Sequence, residues 1–260
     1  MTDAPNLNDE NFNDEKFNAR NRDNAACESP ARNVVVRVAT EARLVMVKDL
    51  RIEMRSRVVA AQIFPFGILV LLLFAFAFDP AGTAQRRAIA PGLFWATVLL
   101  ASILAVGRSA AVEAENGARD GMRLAGLDAG AIFLGKVAAV VIELLILEVL
   151  LLLGTFTLYD VHAHGMVPIL ITMVLATIGI ATTGTVYGVL AAGAKARETL
   201  VPILVLPICA PVMLGATKAF ESALGGRSGE AWPWIQLLAV FAVVYTTAGF
   251  VAHEALLEET

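Results

Sequence analysis

The chain is poor in charge, in aromatic rings and in cysteine and histidine. Asp, Glu, Lys and Arg make up 17% of its 260 residues and Phe, Trp and Tyr 7%, with two cysteines and three histidines. A soluble domain carries about 25% charged residues, so this chain has too little polar surface to cover a water-exposed globule. Cys27 lies in a polar stretch and Cys209 in an apolar run, at different depths, which excludes a disulfide framework. The net charge of -4 and a pI near 5.5 exclude a basic nucleic-acid-binding surface.

What the chain has in excess is apolar sequence: 57% of residues are hydrophobic and the mean hydropathy is +0.69. A bilayer core of ~30 Å takes about 20 helical residues to cross, and six nearly charge-free runs of that length are present, at 58–78, 88–107, 137–158, 166–192, 199–217 and 231–252. They account for half of the chain. The remainder is too short for a catalytic domain besides the connections, so the expected fold class is an all-α integral membrane protein with six transmembrane helices, and not an enzyme.

Residues 1–31 are Asn-rich and acidic and hold few apolar side chains to offset the entropy of ordering, which predicts a disordered tail. The first apolar run begins too far along the chain for a cleavable signal peptide, and is expected to remain as an anchor. Residues 32–57 are basic and, from 38 onward, amphipathic: Val38, Ala42, Val45 and Met46 share one side while Arg43, Lys48, Arg51 and Arg55 lie elsewhere. This segment reads as a helix in the cytoplasmic interface, held by anionic headgroups, or simply as a solvated basic flank. Both readings put the N-terminus inside, and residues 58–260 then form the six-span domain. Leaving out the tail, residues 1–31, that orientation places thirteen Lys and Arg on the inner side and four on the outer, as the positive-inside rule requires. It also puts Trp232 and Trp234 at the outer interface and returns the C-terminus to the cytoplasm.

Three spans carry informative residues. Gly179, Gly184 and Gly188 in the fourth, with Thr177, Thr182, Thr183 and Thr185, permit close helix packing. Pro202, Pro207 and Pro211 in the fifth each remove a backbone donor, which predicts a kinked span whose outer half bends or re-enters. Glu143 and Glu148 in the third are costly in lipid and should face partners or water. Five residues apart, they point about 140° from one another on a helix, so contacts between subunits suit them better than one shared ion site.

Two short motifs carry less. Residues 130–137, GAIFLGKV, miss a P-loop by ending in Val137 where Mg²⁺ needs a hydroxyl, and they look like the start of a membrane helix. Lys136 is then expected to mark the cytoplasmic end of the third span and snorkel to the interface. His162 and His164 form an H-x-H pair that could ligate a metal or haem iron, but no third ligand is near, and ordinary loop histidines are the simpler reading. The longest inner loop, RSAAVEAENGARDGMRLAGLDAG (108–130), is too polar to span and mixes charge with Met122, Leu124 and Leu127. It suits a short helix docked on a cytoplasmic partner.

In order and spacing, KDLRIEMRSR (48–57), APGLFWATVLLASILAVGRSAAVEAENG (90–117), AIFLGK (131–136), the Glu-containing third span and KARETLVPILVLPICAPVMLGATKA (195–219) resemble the haem exporter protein B (CcmB) permeases of cytochrome c maturation, which belong with the ABC-2-like exporters. The similarity runs over about residues 40–255. It implies a permease subunit without its own ATPase site, working with an ATP-binding subunit (CcmA-like), CcmC-like and CcmD-like membrane subunits and, indirectly, a haem chaperone (CcmE-like). It also implies haem as the pathway's substrate, with no cofactor bound by the chain itself, ATP bound by the partner, two permease copies and a bacterial inner-membrane location. Glu113, Glu115, Asn116, Gly117, Asp120, Met122 and Arg123 would form the coupling helix against the ATPase. The family often has a basic residue where Ala114 stands, and here Arg119 and Arg123 follow it. An ABC-2 permease for a lipid or drug, an ion-coupled secondary transporter using Glu143 and Glu148, and a passive scaffold are the alternatives that the residues leave open.

Overall fold

A computed structural model of the chain describes residues 30–57, 59–78, 82–115, 126–161, 164–190 and 197–258. They are helical, with no strand among the described residues: α1 (Pro30–Ser56), a π-helical turn (Val59–Ile63), α2 (Phe64–Ala77), α3 (Thr83–Glu115), α4 (Ala129–Leu158), α5 (Met166–Leu190), α6 (Arg197–Leu224) and α7 (Ser228–Glu258). The chain divides into two units, Met1–Thr40 and Glu41–Thr260. In the first unit, residues 30–40 open α1, with Val34, Val35 and Val36 exposed and Thr40 Oγ1 donating to the Val36 carbonyl at 2.7 Å. The second unit holds the rest of α1 and every later helix.

Five helices are long and apolar enough to cross a membrane: Thr83–Arg108, Ala129–Leu158, Met166–Leu190, Pro202–Leu224 and Ser228–His253. A sixth crossing exists only if the two helices that precede them count as one. With 14 residues, α2 spans about 21 Å at 1.5 Å per residue, short of the ~30 Å hydrocarbon thickness. The chain bends by 60° between α1 and α2. Arg57 stands at the bend with φ 55, a left-handed conformation that ends α1.

Contacts with α4 show how this bent pair is held. The Asp128 N–H donates to Glu41 Oε2 at 2.9 Å, Val45 packs on Ile132, Gly67 lies against Leu147, and the Tyr159 hydroxyl donates to the Leu71 carbonyl at 3.3 Å. The segment from Glu41 to Leu71 thus runs parallel to α4 from its N-cap to its C-cap. Asp128 caps α4 itself, its side chain accepting from the Ala131 N–H at 3.1 Å.

At the closest approach of α1 to α4 stands Gly135. A Cβ there would sit 2.5 Å from the Ala42 carbonyl oxygen and 2.6 Å from Val45 Cβ, so the backbones meet because no side chain intervenes. Gly135→Ala is expected to destabilise the protein by about 1–3 kcal/mol through overpacking, read as a lower apparent Tm in detergent. An unchanged Tm would mean that this helix contact contributes nothing to the fold.

Most of the bundle is organised around α5, which packs on α3, α4, α6 and α7. Gly179 on α5 faces Val212 of α6 and Phe241 of α7, and Gly184 faces Val106 of α3. Across α3 and α6, Phe94 stacks on Phe220 with centroids 5.0 Å apart, and Trp95 meets both rings edge-on. Leu175, Phe241 and Phe250 are partly buried and pack against the same core.

The fifth span is unbroken and does not re-enter. α6 continues through Pro202, Pro207 and Pro211 to Leu224 as one helix. Each proline removes only its own donor, and in hydrocarbon the remaining backbone groups have no better partner than the helix itself. α6 ends where Gly226, at φ 75, takes the left-handed conformation, with the Gly225 N–H donating to the Glu221 carbonyl and the Arg227 N–H to the Ser222 carbonyl.

Candidate functional site

The residues expected to couple to a partner lie where α3 leaves the bundle. The apolar run 88–107 ends before the helix does, and α3 carries the chain on to Glu115. Glu113 and Glu115 therefore belong to its last turns, while Asn116, Gly117, Asp120, Met122 and Arg123 lie outside the described residues.

In the third span the two glutamates have different surroundings. Glu148 is fully buried, at 0% exposure, and its Oε1 accepts a short hydrogen bond from the Thr177 hydroxyl of α5. This bond lies within one chain. The other oxygen, Oε2, is also buried and has no hydrogen-bond partner among the described residues. Thr177 differs from its neighbours in this use of its hydroxyl: Thr182 and Thr183 donate to the Gly179 carbonyl and Thr185 to the Ala181 carbonyl, the usual internal bonds of helical threonine. Glu143, by contrast, is only half-buried. The two glutamates therefore differ in their surroundings, in keeping with their angular separation.

Lys136 departs from the sequence reading. It is 5% exposed and its Nζ lies 3.8 Å from Asp49 Oδ2, so the ammonium is enclosed between α4 and α1 rather than snorkelling away from the bundle. The physical reason is α1 itself: the helix covers this stretch of α4 and supplies a carboxylate at the level of the lysine. Nor is the P-loop-like string a loop. Residues 130–137 lie in the first turns of α4, with Gly130 against Phe250 and Gly135 against Val45.

The other end of the bundle carries a cavity of about 380 Å³ between the start of α3, the turn after α4 and the end of α6. Its charged lining is Arg87, Asp160, Glu221 and Arg227, with His164 beside them. Arg87 forms an ion pair with Asp160, Glu221 pairs with Lys218 at 2.8 Å, and Arg227 pairs with Glu230 at 3.1 Å. His164 Nδ1–H donates to the Leu224 carbonyl at 3.0 Å, tying the α4–α5 connection to the end of α6. His162 lies outside the described residues, as does Cys27; Cys209 is a buried free thiol. Among the described residues no group of three or more His, Cys, Asp and Glu could hold a metal ion.

Sequence reasoning did not single out Asp49, Thr177 as a donor to Glu148, or the grouping of Arg87 with Asp160. The partners in these pairs stand 87, 29 and 73 positions apart. One signal was available: an aspartate in the only basic amphipathic stretch, followed later by a lysine too deep in an apolar run, is a pattern that asks for a pair.

Comparison with known proteins gives a consistent answer. The family model described as CcmB protein matches residues 40–259. The Heme exporter protein B of Rhodobacter capsulatus is 25% identical over 214 residues, which cover 82% of this chain and 97% of that protein. Its counterpart in Paracoccus denitrificans is 27% identical over 221 residues, covering 82% and 97%, and that of Pseudomonas aeruginosa 25% identical over 205 residues, covering 78% and 91%.

Proposed function

The chain belongs to the CcmB protein family, and from that premise we propose that it is the membrane permease subunit of an ABC transporter complex for haem export and cytochrome c maturation. The observation that carries this reading is the length of the match: residues 40–259 take in α1 from its second half onward and every spanning helix. The relatives named Heme exporter protein B align over nearly their whole length. The chain supplies the membrane path and carries no nucleotide site of its own. ATP is bound and hydrolysed by a separate CcmA-like subunit, with CcmC-like and CcmD-like membrane subunits in the complex and two permease copies matching the two ATPase sites. Hydrolysis drives release of the haem-loaded, CcmE-like chaperone on the outer face. Haem is the pathway's substrate.

Mechanically, the continuation of α3 past its apolar run 88–107 to Glu115 supports the reading of 113–123 as the coupling element. Motion of the ATPase pushes on this lever, and a close-packed bundle passes on such a push as a switch between two packings rather than as a graded bend. α3 contacts α4, α5 and α6, so a tilt of α3 reaches most of the bundle. Beyond the tail, thirteen Lys and Arg on one side against four on the other support an inner-membrane orientation with both termini in the cytoplasm.

The test is a haem-stained gel of membrane c-type cytochromes from a strain lacking the gene, with and without the gene restored. Loss of the stained bands and their return with the gene is the expected result. Normal bands without the gene would overturn the haem assignment while leaving the spanning bundle as described.

A further inference from the structure

We propose that the cavity between the start of α3, the α4–α5 turn and the end of α6 binds the headgroup of a zwitterionic phospholipid, its phosphate beside Arg87 and Arg227 and its ammonium beside Asp160 and Glu221. The inference is independent of the haem reading.

Depth is the first argument. The cavity is lined where spans begin and end: Arg87 is four residues into the span that starts at Thr83, Asp160 two beyond the span that ends at Leu158, and Glu221 and Arg227 flank the end at Leu224. That is the level of the headgroup layer, which adds 10–15 Å to the ~30 Å hydrocarbon core. Trp232, largely exposed at the start of α7, lies at the same end, where indole rings favour the interface.

Charge is the second argument. Two cations and two anions line the cavity. A headgroup bearing phosphate and ammonium satisfies both signs, whereas phosphoglycerol brings its phosphate close to two carboxylates and offers them hydroxyls but no positive charge. The pairs already present do not forbid exchange. Arg87 and Asp160 are 50% and 56% exposed, Lys218 and Glu221 46% and 42%, and Arg227 and Glu230 57% and 60%. Ion pairs this exposed hold each other weakly, so a ligand of matching charge can replace one partner. Pro91 and Leu224 add an apolar wall, where the first carbons of an acyl chain would lie.

The experiment is native mass spectrometry of the full chain, purified with whatever subunits accompany it, delipidated and then offered equal amounts of phosphatidylethanolamine and phosphatidylglycerol. The expected result is roughly fivefold preference for phosphatidylethanolamine, equivalent to about 1 kcal/mol at 1.4 kcal/mol per tenfold, falling to parity in an E221Q/R227Q double variant. Both side chains are exposed, and an unchanged elution profile and helical circular dichroism verify that the variant folds. Equal retention of the two lipids, or a preference that survives the double variant, would overturn the site. Soluble glycerophosphoethanolamine binding as tightly as the lipid would overturn the membrane as its source.

Discussion

Met122→Asp is expected to abolish the stimulation of ATP hydrolysis that the assembled complex shows over its isolated ATPase subunit, while the protein still inserts and accumulates in the membrane. Coupling free energies between sites are typically 1–3 kcal/mol, so the contact that carries them can be removed by one misplaced group. Met122 is an apolar side chain between the charged residues Asp120 and Arg123, suited to be the anchor such a contact buries, and methionine adapts to an irregular groove. A carboxylate in its place must be desolvated without a partner, at a cost of several kcal/mol, which exceeds the whole coupling energy. Met122→Leu, which keeps volume and polarity, should retain most of the stimulation. The measurement is ATP turnover in liposomes holding the reconstituted complex, set against the ATPase subunit alone. Stimulation unchanged in Met122→Asp would remove 113–123 from the coupling role.

How much of this was legible in the sequence follows from what lipid demands and what it leaves open. Hydrocarbon tolerates only closed backbone hydrogen bonding and about 20 apolar residues per crossing, so the runs at 88–107, 137–158, 166–192, 199–217 and 231–252 reappear as the cores of α3 to α7. The first run did not translate so directly. Its hydropathy marks 58–78 as a span, yet the helix restarts at Phe64 after Arg57 and a π-helical turn, and α1 lies beside α4 from Glu41 onward. Hydropathy records which residues avoid water, and a helix that combines Arg43, Lys48 and Arg51 with a packed Val45 gives it a mixed signal. Pairings across the bundle were less legible still. Lys136 reads as an interface marker until Asp49 is placed against it, and nothing in a single chain of letters states that α1 and α4 run parallel. The prolines of the fifth span marked missing donors correctly, but whether a helix breaks there depends on its neighbours and on lipid, not on the residue alone. The cavity at the far end was invisible for the same reason: its charges come from three separate turns.

Thr177→Val is expected to destabilise the protein by about 1–3 kcal/mol, whereas Glu148→Leu should cost little or even raise the apparent Tm. The asymmetry follows from who is left without a partner. Removing the Thr177 hydroxyl leaves Glu148, at 0% exposure, with neither oxygen hydrogen-bonded among the described residues. Removing the carboxyl frees a hydroxyl that can bond to a carbonyl one turn back, as Thr182, Thr183 and Thr185 do. The double variant Thr177→Val with Glu148→Leu replaces both partners by apolar groups of similar size and should recover most of the loss, giving a coupling energy that a double-mutant cycle of thermal unfolding in detergent measures directly. A carboxyl at the centre of a membrane span costs at least ~2.5 kcal/mol on insertion scales, so stability alone gives no reason for Glu148 to stand there. If Glu148→Leu raises Tm and yet fails to restore c-type cytochromes to a strain lacking the gene, the group serves the working cycle, and Glu148→Gln separates its parts: an amide keeps an acceptor for Thr177 but neither binds nor releases a proton. Restored cytochromes in Glu148→Gln would assign the hydrogen bond between α4 and α5 as what matters; their loss would assign the proton. Equal destabilisation by Thr177→Val and Glu148→Leu, with additive effects in the double variant, would show that the two side chains are not coupled at all.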